Sequence, residues 1–474
     1  MNDRMGYGVV LLLMMALPLL AEDHSEYLEG PFSDVHEVTE TCLACHEDAA
    51  ESFLHSIHWT WGSDPAVVNR DDPAFRTGKR NVLNNFCIGL AGNEPRCTSC
   101  HAGYGWQDAG FDFNDPINID CLVCHESTGT YQKFPTMAGY PVTETKEFSG
   151  KTFTPPALER IARSVGGPVT RQACGSCHFY GGGGNNVKHG DLEAALIDPS
   201  RDLDVHMGGA DMLCVDCHET YDHQIPGQAM SVTPHNSKTL TCENCHGETP
   251  HEKYAYYLDR HSESLACQTC HIPEFARANP TKMSWDWSQA GDKDREVRMD
   301  AHGMPDYAVQ KGAFTWGKDV IPVYRWYNGE SQRMLLGDPI DPEKVNVLSS
   351  PKGEKGDTAA KIFPYKVHKG RQIADRKHRY LLPTHVYGGY WKHFDWDQAV
   401  RVGAEAYGME YSGRTVFVET EMYWEIDHMV APKEHALHCG DCHSRKGKGR
   451  MDWQVLGYEG DPRYNPGLSR TPMR

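Results

Sequence analysis

The sequence predicts a mainly α-helical chain with much irregular structure, and three observations carry that prediction. A Cys-x-x-Cys-His pentapeptide recurs eight times. Histidine, at 26 residues, outnumbers cysteine at 17, so ligation explains the cysteines better than a disulfide scaffold, which needs no histidines. Glycine (45) and proline (28) punctuate the chain too often for long regular elements.

The copies are CLACH (Cys42, Cys45, His46), CTSCH (Cys97, Cys100, His101), CLVCH (Cys121, Cys124, His125) and CGSCH (Cys174, Cys177, His178). They continue as CVDCH (Cys214, Cys217, His218), CENCH (Cys242, Cys245, His246), CQTCH (Cys267, Cys270, His271) and CGDCH (Cys439, Cys442, His443). At this composition chance supplies about 0.03 such pentapeptides. Two thiols three residues apart reach the two vinyl groups of one porphyrin, and the adjoining imidazole reaches its iron. Zinc ribbons also use Cys-x-x-Cys, but they do not need a histidine after every pair. The expectation is eight covalently bound haem c groups in a packed array, with the porphyrins supplying much of the apolar core. Sixteen cysteines are thereby consumed, and Cys87 in "NNFCIG" is left over.

Arg4 and the apolar run Gly6–Leu20, ending at Ala21, read as a secretory signal over 1–21. Haem c attachment also belongs outside the cytoplasm. The expected location is periplasmic, with no stable membrane insertion after signal removal. A net charge of −18 excludes a nucleic-acid partner and suits docking onto a basic redox protein.

Residues 22–275 hold seven motifs, with short helices expected just after them. Residues 276–430 form a haem-free, aromatic-rich segment, read as wrapping the haem core, and 431–474 carry the eighth motif and tail. The run "RTVFVETEMYW" alternates like a strand.

A low-spin haem needs a second axial ligand. The 26 histidines less the eight of the motifs leave 18. Seven stand where a distal ligand is expected: His58, His189, His206, His223, His251, His261 and His428. His24 reads as a solvated surface residue, and His55, His235, His368, His435 and His438 are the substitutes. Seven distal ligands for eight haems leave room for one open iron.

The strings "GKRNVLNNFCIGLAGNEPRCTSCHAGYGW", "CGSCHFYGGGGNNVKHGDL", "LACQTCHIPEFARANPTKMSWDWSQAG" and "FVETEMYWEIDHMVAPKEHALHCGDCH" resemble the octahaem cytochromes of the tetrathionate reductase type. The resemblance covers nearly all of the chain after the signal. It implies a haem-dependent reductase of small sulfur oxyanions, with one active haem at the second motif, Cys97–His101, fed by the other seven. It also implies a lysine on the active iron and a free cysteine beside it, which Cys87 matches. Lys146 and Lys151, between motifs three and four, are the ligand candidates, and Lys238 is a cation for the anionic substrate. A quinol-linked or periplasmic cytochrome is the expected donor. The residues leave two other readings open: a pure electron carrier, or a nitrite or hydroxylamine enzyme on the same scaffold.

Overall fold

The computed structural model describes residues 24–62, 78–86, 89–227, 240–251 and 256–465. The signal segment, Cys87, His235 and Lys238 lie outside the described residues.

The expectation of a mainly α-helical chain is corrected: helix makes up 25% and strand 18%. Helices sit on the motifs more than after them, as at Leu122–His125, Cys214–Cys217, Cys267–His271 and Cys439–Cys442. A single helical turn places residues i and i+3 on one face, which is what two thioether sulfurs on one ring require. Asp34 caps the helix Val35–Leu43 by accepting from His36 N and Glu37 N, and Thr170 caps Arg171–His178 through Ala173 N. The longest described helix, Trp396–Ala406, lies far from any motif in sequence. Among the described residues no helix is long and apolar enough to cross a membrane.

The strands are β1 (Lys146–Phe148) and β2 (Lys151–Phe153), which pair as a hairpin. Then follow β3 (Thr281–Asp286), β4 (Tyr307–Ala308), β5 (Gly312–Gly317), β6 (Val323–Tyr327), β7 (Ser331–Arg333), β8 (Asn346–Pro351), β9 (Lys361–Asp375) and β10 (Thr415–Glu425). These eight make one mixed sheet in the order β4-β5-β3-β9-β10-β8-β7, with β6 also on β9. Its spine is the antiparallel β9–β10 pair, in register from Thr415↔Asp375 to Glu425↔Tyr365.

The aromatic-rich segment is therefore a sheet, and it shares a core with the motif region instead of merely wrapping it. Leu83, Phe86 and Val187 pack in one buried cluster with Trp285, Trp287, Phe314, Tyr390 and Trp424. Truncating one such aromatic to Ala costs about 3–5 kcal/mol. Gly370 on β9 lets the motif-side chain approach: a Cβ there would meet Asn85 Cγ and Thr420 Oγ1, both at 2.6 Å. Asn85 uses the gap to donate to His368 O (2.9 Å) and accept from Thr420 Oγ1 (2.6 Å). The segment leading to Cys87 is thus pinned to the middle of the sheet.

Candidate functional site

A connected cavity of about 4570 Å³ runs through the motif region. All eight motifs contribute lining residues, although the second contributes Cys100 and not its histidine. Trp424, Tyr327 and Phe363 close it on the sheet side.

Seven motif histidines each face a second imidazole across it. The ring centroids are 5.9 Å apart for His24–His46, 6.0 Å for His206–His246 and 6.1 Å for His58–His178. They are 6.3 Å apart for His125–His223, and 6.4 Å for His218–His428, His251–His271 and His261–His443. An imidazole nitrogen lies about 2 Å from a metal it ligates, so two rings on opposite sides of one iron hold centroids roughly 6.3 Å apart. The side chains fit the group.

The hydrogen bonds agree. Nδ1 is engaged in His218 (Pro226 O, 2.7 Å), His223 (Ser52 Oγ, 2.7 Å), His261 (Tyr257 O, 2.7 Å) and His251 (Asp259 Oδ1, 2.7 Å). The same holds for His443 with Asp461 Oδ1 (2.6 Å) and His428 with Asp191 Oδ2 (3.2 Å). A proton fixed on Nδ1 leaves the Nε2 lone pair for metal.

His101 departs from this pattern. Its Nε2–H donates to Trp59 O at 2.7 Å, and its Nδ1 has no hydrogen-bond partner among the described residues. The ring is boxed by Trp59, Trp61, Trp106 and Phe111 at centroid distances of 5.0–5.6 Å. Burial pushes its pKa down to about 3, so it is neutral. The short helix Ile57–Thr60, capped by Ser56 Oγ on Trp59 N, sets both arrangements. His58 reaches His178, and the next carbonyl occupies His101.

Lys188 lies in the neighbourhood of the second motif. It is half-buried, lines the cavity and lies within electrostatic reach of Cys100. Burial, then Lys79, holds its ammonium down to about 7, so a neutral amine with a free lone pair is accessible. Its Nζ stands 4.8 Å from the Trp424 ring centroid, and Trp424 touches Phe86, the neighbour of Cys87, at 6.1 Å. Lys79 and Arg80 also line the cavity, and Lys79 lies within electrostatic reach of Lys188.

Motif sulfurs also meet in pairs. Cys42 contacts Cys121, Cys100 contacts Cys177, Cys174 contacts Cys214, and Cys242 contacts Cys267. Cys124 neighbours Cys174, Cys217 neighbours Cys245, and Cys270 neighbours Cys442. Sulfur contacts thus join motif one to three, two to four, four to five and six to seven, and electrostatic reach links three to four, five to six and seven to eight.

Several expected positions are corrected. His189 faces Trp424 at 5.1 Å instead of a motif histidine. His24, expected on the surface, is the one opposite His46. Lys151 is exposed on β2 with its Nζ 5.2 Å from the Tyr180 ring, and Lys146 pairs with Glu144 at 3.6 Å. His55, His435 and His438 are exposed, and His368 is buried in β9. Lys188 was missed, and its only sequence signal is its place in "CGSCHFYGGGGNNVKHGDL" after the fourth motif.

A crystal structure described as octaheme cytochrome c from Shewanella oneidensis matches with a TM-score of 0.85 and 46% identity, covering 94% of this chain and 99% of that one. The chain belongs to the octahaem cytochromes c. As in other c-type cytochromes, its haem is covalently bound and its chemistry is electron transfer. The family model described as "Cytochrome c bacterial" matches residues 282–446, which is the sheet and the last motif. An uncharacterized protein of Archaeoglobus fulgidus is 25% identical over 239 residues, 43% of this chain and 80% of that one. Neither of these two matches brings an assigned substrate to the octahaem cytochrome fold seen here.

Proposed function

We propose that this octahaem cytochrome is an exported, periplasmic reductase of small sulfur oxyanions, carrying eight haems of which one is open to substrate. The observation that carries the reading is the inversion at the second motif. There His101 spends Nε2 on the Trp59 carbonyl while seven other motif histidines face a second imidazole. The paired imidazoles would hold seven haems, and Lys188 would supply the protein ligand at the second in place of His101. Bound there, haem supplies one-electron transfer and, at the second site, a Lewis-acidic position for a small anion.

The chain's own residues supply the rest. Lys79 and Arg80 concentrate an anion in the cavity of a protein of net charge −18. The Cys87 thiolate attacks the central sulfur–sulfur bond of tetrathionate, as in thiol–disulfide exchange. One thiosulfate leaves and the other remains joined to Cys87 through a sulfur–sulfur bond. Two electrons, drawn from a periplasmic or quinol-linked cytochrome donor, break that bond, release the second thiosulfate and restore the thiolate. The linked motifs suit collection of those electrons from a partner docked far from the second site.

The test is a stoichiometric assay with reduced methyl viologen as donor. Two viologens oxidised and two thiosulfates formed per tetrathionate support the reading. Viologen oxidation by nitrite with none by tetrathionate would sink it.

A further inference from the structure

We infer that Lys366, deep in the sheet, is a positioning residue for Lys188, an inference that rests on Lys188 being the ligand at the second motif. Lys188 belongs to an irregular stretch, Val187–Gly190, that has no helix or strand of its own to fix it. What fixes it is the interior of the sheet, at strands β9 and β3.

Lys366 on β9 is fully buried. Its Nζ donates to Val187 O at 3.1 Å, to Lys188 O at 2.9 Å and to Thr281 Oγ1 at 2.5 Å. Thr281, on β3, passes its own hydroxyl proton to Asn186 O at 2.6 Å. Three consecutive carbonyls, 186 to 188, are thus gripped from two neighbouring strands. Three acceptors surround this one Nζ, and burial pulls the Lys366 pKa well below the usual lysine value. Gly190 makes the approach feasible: its φ is +100°, and a Cβ there would meet Phe275 Cδ2 at 2.8 Å and Lys366 Cδ at 3.3 Å. Ala276 N then donates to Gly190 O at 2.7 Å and closes the far end of the clasp.

The arrangement also gives the haem-free segment a task. It converts a loop that local rules leave free into one whose backbone is held at successive carbonyls. A long, flexible lysine side chain can be held on one atom only if its own Cα is fixed. Removing the Lys366 amino group leaves the buried Val187 O and the half-buried Lys188 O without their donor, so the loop must shift to recover partners.

The experiment uses the purified full-length holoprotein and reads the visible and electron paramagnetic resonance spectra of the haems. Lys188→Met is the reference, and it replaces one haem signal while leaving the seven imidazole-paired signals unchanged. Lys366→Met is expected to reproduce that loss, and Thr281→Val, which loosens the same clasp without burying a new group, to reproduce it in part. If Lys188→Met changes no haem signal, the ligand assignment fails. If Lys188→Met changes one signal and the variants at Lys366 and Thr281 leave it intact, the clasp is overturned. Should Lys366→Met not fold, Thr281→Val decides alone, by partial loss or by none.

Discussion

His101 Nε2 lies 2.7 Å from the carbonyl oxygen of Trp59. In six of the facing histidines it is Nδ1 that is hydrogen-bonded, which leaves Nε2 for the cavity. One residue earlier in the same short helix, His58 takes part in an ordinary facing pair with His178. A single helical turn thus completes one imidazole pair and removes the histidine from another motif.

The facing pairs predict which histidines gate carbon monoxide. His24→Ala should raise the number of carbon monoxide-binding haems in the reduced protein by one. His189→Ala should leave that number unchanged, because His189 faces Trp424. The spectral shift per haem on titration measures both, and the reverse pattern would contradict the pairing.

Cys87→Ala should lower tetrathionate reduction by on the order of 10²-fold while nitrite reduction, if present, stays within a few-fold. Only the sulfur substrate has a bond that a thiolate can exchange with. Equal loss on both substrates would assign Cys87 a structural role.

Behind the second motif, Lys133 donates to His101 O (2.5 Å) and Gly103 O (3.2 Å) and pairs with Asp120 at 2.9 Å, both side chains being buried. Asp120 also accepts from Tyr104, Tyr131 and Val123 N, the last within the third motif. Lys133→Met should therefore cost about 3–5 kcal/mol, since it strands a buried carboxylate. Adding Asp120→Asn should recover part of that, as read from denaturation midpoints. Strictly additive single effects would show that the pair is uncoupled.

Asp375 ends β9 and accepts from Lys377 N, His378 N, Ser412 N and Ser412 Oγ. Burial would raise its carboxyl, but these donors outweigh burial and hold it below the usual carboxylate range. Its contribution is therefore complete above the unfolded value of about 3.9 and lost as pH falls through the folded one. Asp375→Asn should destabilise by about 2 kcal/mol at neutral pH. Denaturation at neutral pH and at about pH 3 should show that difference shrinking in acid. A constant difference would contradict the assignment.

What the sequence disclosed follows from how local each signal is. The motif cysteines and histidines are legible because one helical turn contains the whole attachment chemistry. Six of the seven facing distal histidines could be picked from their neighbours, whereas His24 sits among Glu22, Asp23 and Glu26 and reads as solvated. The sheet was hidden for a different reason. Its central strand, β9, carries Pro364, Lys366, His368 and Gly370 where alternation would ask for apolar residues. Lys366 and Gly370 are the very residues that hold the Lys188 loop and admit Asn85. Local rules fail where the strand serves the site and not its own stability.

The most direct measurement is a carbon monoxide titration of the fully reduced protein, with the responding haems counted against total haem. One responding haem in eight, assigned to the second motif by its change in Lys188→Met, is the predicted result. None, or a responding haem that Lys188→Met leaves untouched, would contradict an open site at the second motif.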